Sequence, residues 1–136
     1  MKKFVIILVL VLIIAGTAYI LVKNLGNLQG EKATAGQLVR GWALESYNGT
    51  AANGSINFKK DGRFEAQVCN LISGSYAADN GGIKFSGVAG TLALCTDENL
   101  SEADTAFVQM TKSNVTARLV DGKLHLQSGN DKLIFY

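Results

Sequence analysis

The chain has 136 residues, of which 48% are hydrophobic, and a formal net charge of +2. This length suits one domain. Three lysines flank an apolar N-terminal run, and the remaining ten basic and eleven acidic residues nearly balance. Because nonspecific nucleic-acid binding requires concentrated positive charge, this balance excludes nucleic acid as an expected partner.

An apolar run of nineteen uncharged residues extends from Phe4 to Val22. As a helix it would reach roughly 28 Å, close to the hydrocarbon thickness of a bilayer. We therefore predict a signal anchor, which is a transmembrane helix, in residues 1–23, with the lipid bilayer as its partner through residues 4–22. A signal peptide cleaved after Ala18 is the alternative, but the apolar run continues beyond that site, which favours an uncleaved anchor.

The charges around this run predict its orientation. Lys2 and Lys3 precede it, whereas Lys23 alone follows it. Because positive charge tends to remain in the cytoplasm, we expect a single-pass protein of the cytoplasmic membrane with its N-terminus inside. The domain would then lie on the extracytoplasmic side, or would be secreted if the chain were cleaved after Ala18.

Residues 24–40 are rich in glycine, asparagine, glutamine and other small residues and show no sustained period. Such a composition is typical of a flexible linker. We therefore predict a linker over residues 24–40 and a folded domain over residues 41–136. A short helix around Thr34–Val39 is a weakly signalled alternative within the linker.

Short alternating apolar patterns fill this domain and are separated by turn pairs, which favour hairpins. Leu92 and Leu94, for example, alternate ahead of Cys95. The pattern predicts about eight strands, joined mostly as a meander. The turn pairs are Asn48-Gly49, Asp61-Gly62, Asn80-Gly81, Asp121-Gly122 and Gly129-Asn130.

One segment, Ser101 to Ser113, has helical rather than alternating spacing, with Ala103, Phe107 and Met110 on one face. We predict a helix that is N-capped by Ser101 and packs on the sheet. The fold class is therefore α+β and mainly β: a curved antiparallel sheet or cracked barrel of about eight strands with one packed helix, preceded by the transmembrane helix.

Acidic residues gather around the start of this helix. A calcium loop would need oxygen ligands at alternate positions and a central glycine, and this stretch has neither. We interpret the cluster as helix capping, because the helix dipole favours negative charge in the first turn. Its members are Asp97, Glu98, Glu102 and Asp104.

Cys69 and Cys95 each follow a predicted strand. An even cysteine count in an exported domain favours a disulfide, which would close a loop of about 25 residues. Two free thiols packed in the core are the alternative. Two cysteines and one distant histidine lack the number and spacing of metal ligands, so we predict no metal site and no cofactor.

His125 is the single histidine, and it alternates with Leu124 and Leu126. We expect it on the solvent-facing side of its strand. No nucleophile or orienting carboxylate is placed beside it by the sequence, so no catalytic residue is predicted.

A set of short motifs follows in a fixed order along the domain: Gly41–Ser46, Ile56-Asn57-Phe58, Asp61–Phe64, Cys69-Asn70, Gly74-Ser75-Tyr76, Thr91, Cys95 and Asp121–Leu126. In this order, from Gly41 to Tyr136, the chain resembles the META domain of the HslJ-like, heat-shock-inducible envelope proteins of bacteria. Three positions depart from the family pattern, namely Val68, Leu92 and Ala93. The resemblance implies a β-rich domain with one helix, similar in outline to the cracked barrel of type III secretion pilotins, and a role in the envelope or in stress tolerance. It implies no reaction. The family-motif positions are Trp42, Cys69, Asn70, Gly74, Tyr76, Thr91 and Cys95.

These observations predict a membrane-anchored, non-enzymatic binding or structural module of the bacterial envelope, with an envelope protein, peptide or lipid as ligand. Asn70 would either contact that ligand or bind local backbone where its strand turns. One alternative function is an acyl-chain carrier with the ligand inside the barrel, as in pilotins. Another is a hydrolase, which would need His125 beside a serine or a carboxylate.

Overall fold

A computed structural model describes residues 13–14, 16–17 and 30–136. The chain divides into two compact units, Met1–Gly30 and Glu31–Tyr136. In the first unit the described residues Ile13, Ile14, Gly16 and Thr17 are helical. The rest of the predicted membrane segment and residues 24–29 of the predicted linker lie outside the described residues. No helix in the described ranges has the length and apolarity that crossing a bilayer requires.

The second unit contains eight antiparallel strands that close into a barrel, as the pattern of alternating residues predicted, together with two strands of two residues each. The ten strands are β1 (Glu31–Lys32), β2 (Gly41–Tyr47), β3 (Thr50–Ala51), β4 (Ser55–Phe58), β5 (Arg63–Gln67), β6 (Leu71–Asp79), β7 (Gly82–Gly90), β8 (Val115–Val120), β9 (Lys123–Ser128) and β10 (Asp131–Phe135). Around the barrel they run β8-β7-β6-β5-β4-β2-β10-β9, and a β8–β9 pairing closes the circle.

Three of the predicted turns form tight hairpins for a local reason. Asn48-Gly49, Asn80-Gly81 and Asp121-Gly122 all have positive φ at both residues, between 46° and 85°. This left-handed conformation suits glycine, and asparagine or aspartate tolerates it best among the other residues. Two successive residues with positive φ match the twist of antiparallel strands, so these dipeptides set the hairpin register.

The barrel interior is filled by the apolar residues that alternate along the strands. The largest of them are at most 1% exposed. Phe58, Phe64 and Phe135 come from three different strands, and Phe107 comes from the packed helix. Because these rings occupy the interior, an acyl chain along the barrel axis would have to displace the core itself.

The packed helix, α2, spans Glu98–Met110 and lies three residues ahead of the predicted segment. Its N-cap is Asp97, whose carboxylate accepts a hydrogen bond from Leu100 N at 2.9 Å. The predicted cap at Ser101 is therefore wrong, because aspartate caps as well as serine and Asp97 comes first in the chain.

The folded unit begins earlier than the sequence indicated. Glu31–Lys32 pairs with β8, and a short helix, α1 (Ala35–Leu38), follows. Thr34 and Gln37 cap α1 reciprocally, and Leu38 is fully buried. The structure thus differs from the predicted linker over residues 31–40, because apolar Ala33 and Leu38 cover one end of the core in a segment too short to show a period.

The barrel opens along one strand. β7 pairs with β8 only through Gly82 and Ile83, whereas it pairs with β6 along its whole length. From Lys84 to Gly90, the edge of β7 that faces away from β6 has no neighbouring strand among the described residues. Helix α2 lies beside this opening, where the rings of Phe85 and Phe107 are 6.0 Å apart.

Candidate binding site beside the disulfide

Cys69 and Cys95 form a disulfide, with their Cα atoms 6.0 Å apart. The predicted bridge is therefore confirmed. Cys69 follows β5 directly, and Cys95 lies in the segment between β7 and α2. The bridge ties this segment, residues 91–97, to the far end of β5.

A hydrogen-bond network beside the disulfide also holds residues 91–97 to the end of β5. Asn70 and Asp104 are each 7% exposed. One carboxylate oxygen of Asp104 accepts hydrogen bonds from Cys69 N at 3.1 Å and Asn70 N at 2.9 Å, and the other accepts from Asn70 Nδ2 at 2.8 Å. A buried carboxylate is stable only when it is well paired, and three donors meet that requirement.

The other end of the Asn70 amide holds the loop. Asn70 Oδ1 accepts hydrogen bonds from Thr91 Oγ1 at 3.0 Å and from Ala93 N at 2.6 Å. Thr91 Oγ1 also accepts from Leu71 N at 3.1 Å. Asn70 therefore joins α2 to the loop after β7, which extends the structural interpretation of this residue from local backbone to contacts more than 20 positions away.

Asp104 was assigned by the sequence to helix capping, and that interpretation is wrong for this residue. It lies on the buried face of α2, between Ala103 and Phe107. Its position three residues before Phe107, on the apolar stripe, was a signal that sequence analysis could have used. Asp97 is the member of the acidic cluster that does cap the helix.

Residues 91–97, which we call the clamped loop, present apolar side chains to solvent. Leu92 and Leu94 are 101% and 94% exposed, and Leu71, which follows Asn70 in the chain, is 53% exposed. The segment is not a strand, although its alternation predicted one. Scattered exposed leucines are ordinary, but two on one short loop held by a disulfide and a buried network form an apolar surface of the kind that binds partners.

A groove runs from this loop along the open edge of β7. Its apolar part, of about 330 Å³, lies between β7 and the C-terminal half of α2 and is lined by Ile72, Val88, Leu92 and Val108. It adjoins a second depression of about 380 Å³, lined by Lys84, Phe85 and Lys112 among others. We call the two together the β7 groove.

The other family-motif positions have structural roles. Trp42 is buried, donates from Nε1 to Leu38 O at 3.0 Å, and lies beneath the guanidinium of Arg40. Tyr76 packs edge-on against Phe58 and donates from its hydroxyl to Lys59 O at 2.9 Å. Burial, followed by the charge of nearby Asp61, raises the pKa of Tyr76.

Gly74, the last of these positions, lies where β6 and β7 approach each other too closely for a side chain. A Cβ atom there would be 2.9 Å from Ser86 O and 3.1 Å from the Phe64 ring. The pairing of β6 with β7 shifts register at this point. Glycine is needed here for close approach, which is its usual role at a bulge.

His125 lies on the outer face of β9, as predicted, since Leu124 and Leu126 are buried. Burial, followed by the charges of Lys132 and Lys123, lowers the pKa of His125. His125 and Ser46 both line an open surface depression on this face. Ile134 pairs with Ser46 on one side and with His125 on the other, so it lies between them.

The nearby carboxylate, Glu45, is bound by Lys123 Nζ at 2.7 Å. Two strand spacings separate the Cα atoms of Ser46 and His125 by roughly 10 Å, so the two side chains do not form a nucleophile–base pair. The contact required by the hydrolase hypothesis is missing from this face. In the part of the chain that the structure describes, no three His, Cys, Asp or Glu side chains converge as metal ligands.

Comparisons with known proteins agree with this architecture. Heat shock protein HslJ of Escherichia coli (strain K12) is 26% identical over 99 residues, covering 69% of this chain and 71% of HslJ. One NMR structure of a protein is 26% identical and has a TM-score of 0.69, covering 76% of this chain and 93% of its own. A second, from Burkholderia xenovorans, is 20% identical with a TM-score of 0.59 over 78% and 87% of the two chains, which shows a shared fold.

The META-domain family model matches residues 36–136. That range contains all eight barrel strands, helix α2, the disulfide and the Asn70–Asp104 network. The chain belongs to the META-domain family.

Proposed function

We propose that the chain is a membrane-anchored, extracytoplasmic META-domain protein that acts as a non-enzymatic binding or structural module in envelope maintenance or stress tolerance. The apolar run Phe4 to Val22 would supply the anchor. The similar protein from Escherichia coli is named a heat shock protein, which supports a role under stress.

The observation that carries the proposal is the clamped loop. The Cys69–Cys95 disulfide and the buried Asn70 network together hold Leu92 and Leu94 in solvent. With both leucines in water the protein forgoes the stabilisation of about 1.5–3 kcal/mol that burial of each would contribute. A rigid apolar surface is useful when a partner covers it, and disulfides persist in oxidising compartments outside the cytoplasm.

Localisation can be tested on intact cells with a membrane-impermeant maleimide. We expect no labelling of Cys69 and Cys95 before reduction and full labelling after an impermeant reductant is added. Free thiols that react only after lysis would place the domain in the cytoplasm and contradict the proposal.

The role in the envelope requires a deletion strain. We expect the deletion to sensitise cells to heat and to detergent, and the full chain to restore tolerance. A version in which residues 1–23 are replaced by a cleavable signal peptide tests whether the anchor contributes. An unchanged tolerance of the deletion strain under every stress would refute the proposed role.

A further inference from the structure

The edge of β7 that faces away from β6 is unpaired over most of its length. From Lys84 to Gly90 seven residues extend about 20 Å with a strand on one side only. Proteins normally protect such edges with charge, proline or a covering segment, because a free edge can pair with another chain. Lys84 is the one charged residue on this stretch. A bulge at Gly87, where φ is +57°, interrupts the edge, and helix α2 lies beside it, but no backbone hydrogen bond joins the edge to α2 among the described residues.

The groove along this edge has the chemistry of an extended peptide site. Val88 and Val108 both line the groove, and Leu92, which is fully exposed, borders it. Gly87 is exposed and has a positive φ of 57°, so a regular ladder with an added strand would form on either side of it and not through it. In strand addition, backbone pairing supplies affinity and pockets for alternate side chains supply specificity.

The positive charge of the β7 groove favours a negatively charged group at one end of the ligand. Lys84 lines the second depression of the β7 groove, Lys112 lines both depressions where they meet, and no acidic residue lines either one. Neither lysine takes part in an ion pair within the described ranges. An acidic side chain or a C-terminal carboxylate on the ligand would complement this end.

We propose that the β7 groove binds an extended peptide segment of a partner protein, which adds a strand to β7, packs apolar side chains between Val88 and Leu92, and sets a carboxylate beside Lys84 and Lys112. This inference rests on the proposed role as a binding module and names its class of partner.

The probe is a random heptapeptide library displayed on phage and panned on the full chain in detergent micelles. We expect enrichment of peptides with alternating β-branched residues and an acidic residue at one end. An enriched peptide is then synthesised, and its affinity is measured by fluorescence anisotropy. N-methylation of its alternate amides should weaken binding about tenfold, because it removes the backbone pairing.

Matched variants locate the site. Leu92→Ser should weaken binding about tenfold, because it removes an apolar contact, whereas Leu94→Ser on the same loop should leave it unchanged, since Leu94 does not line the groove. The double variant Lys84→Glu/Lys112→Glu should weaken binding about tenfold at low salt, and the exposed control Lys60→Glu should not. All five positions are exposed, so unfolding midpoints should match the wild type.

Three results would overturn the inference. They are the absence of any enriched peptide, binding that Leu92→Ser and the lysine reversals leave intact, and occupation of the groove by decanoate or by a second copy of the chain. If the Leu92→Ser variant fully restored tolerance to the deletion strain, peptide binding in the β7 groove would be refuted, but the proposed role in the envelope would stand. An unaffected deletion strain would reject that role while leaving the binding measurement standing.

Discussion

Asp104 is the residue on which the buried network depends. Replacing it with alanine leaves Cys69 N–H and Asn70 N–H without their acceptor, and leaves Asn70 Nδ2 with only the longer contact to Ala93 O at 3.5 Å. We expect Asp104→Ala to lower the free energy of unfolding by about 3 kcal/mol, because unsatisfied buried donors are costly. Denaturant titration followed by the fluorescence of Trp42, the single tryptophan, measures this.

The control is Glu102→Ala on the same helix, where the side chain is exposed. It should change the unfolding free energy by less than about 0.5 kcal/mol. Equal effects of the two substitutions would show that the loss comes from helix propensity and not from the network.

His125 provides a second test, in its response to pH. Its pKa is lowered from the ordinary value of 6.5, first by burial. The unfolded chain therefore binds more protons than the folded one between the folded pKa and 6.5, so stability contributed by this residue is complete above 6.5 and is lost as the pH falls through that window.

NMR titration of the single histidine ring should give a pKa below 6.5 in the folded protein. His125→Gln should remove the corresponding part of the loss in stability below that pH, leaving the carboxylates to act at lower pH. A folded pKa at or above 6.5 would contradict the burial argument.

At the scale of elements, Gly74 controls how closely β6 and β7 pack. Gly74→Ala would place a Cβ against backbone, 2.9 Å from Ser86 O, and backbone cannot move aside cheaply. We expect destabilisation of about 1–3 kcal/mol. The control is Gly41→Ala, since no heavy atom lies within 4 Å of that Cβ position and the φ angle is ordinary.

Differential scanning calorimetry on both glycine variants separates close approach from the general effect of removing a glycine. Gly41→Ala should leave the midpoint nearly unchanged, whereas Gly74→Ala should lower it. A Gly74→Ala variant as stable as the wild type would mean that β6 and β7 can separate at the bulge without cost.

The elements themselves were largely predictable. The hairpin turns and helix α2 follow from local patterns, because turn chemistry and apolar period act over a few residues. The sequence signalled α1 only weakly, as a short helix around Thr34–Val39, and did not signal β1, since a two-residue strand and a four-residue helix form through tertiary contacts, such as burial of Leu38. Leu92 and Leu94 alternate like a strand, but Asn70 and the disulfide hold them in a loop.

For the whole molecule, the disulfide links two regions that the sheet does not join directly. It spans a sequence separation of 26. Loop-closure entropy predicts that the bridge stabilises the domain by about 3 kcal/mol. We therefore expect reduction to lower the thermal unfolding midpoint of the full chain.

The double variant Cys69→Ser/Cys95→Ser serves as the control. It should unfold at the midpoint of the reduced wild type and should not respond to dithiothreitol. If the wild type shows the same midpoint with and without reductant, the Asn70 network alone holds the loop and the bridge contributes nothing measurable.

The candidate site was visible in the sequence only in parts. Cys69, Asn70, Thr91 and Cys95 stood out as family-motif positions, but their meeting with Asp104 did not, because Asn70 and Asp104 are 34 positions apart. The β7 groove left no sequence signal. It exists because β8 leaves β7 after Ile83, and which strand edges separate is a property of the closed barrel.

The sequence by itself determined the meander of strands, its tight hairpins, the packed helix and the cysteine pair, because these follow from periodicity, turn chemistry and composition. The tertiary structure decided how the barrel closes, where it opens, and that Asp104 and Asn70 meet. The physical reason is distance along the chain: β2 pairs with β10 across more than 80 residues, and no local pattern encodes which edges meet.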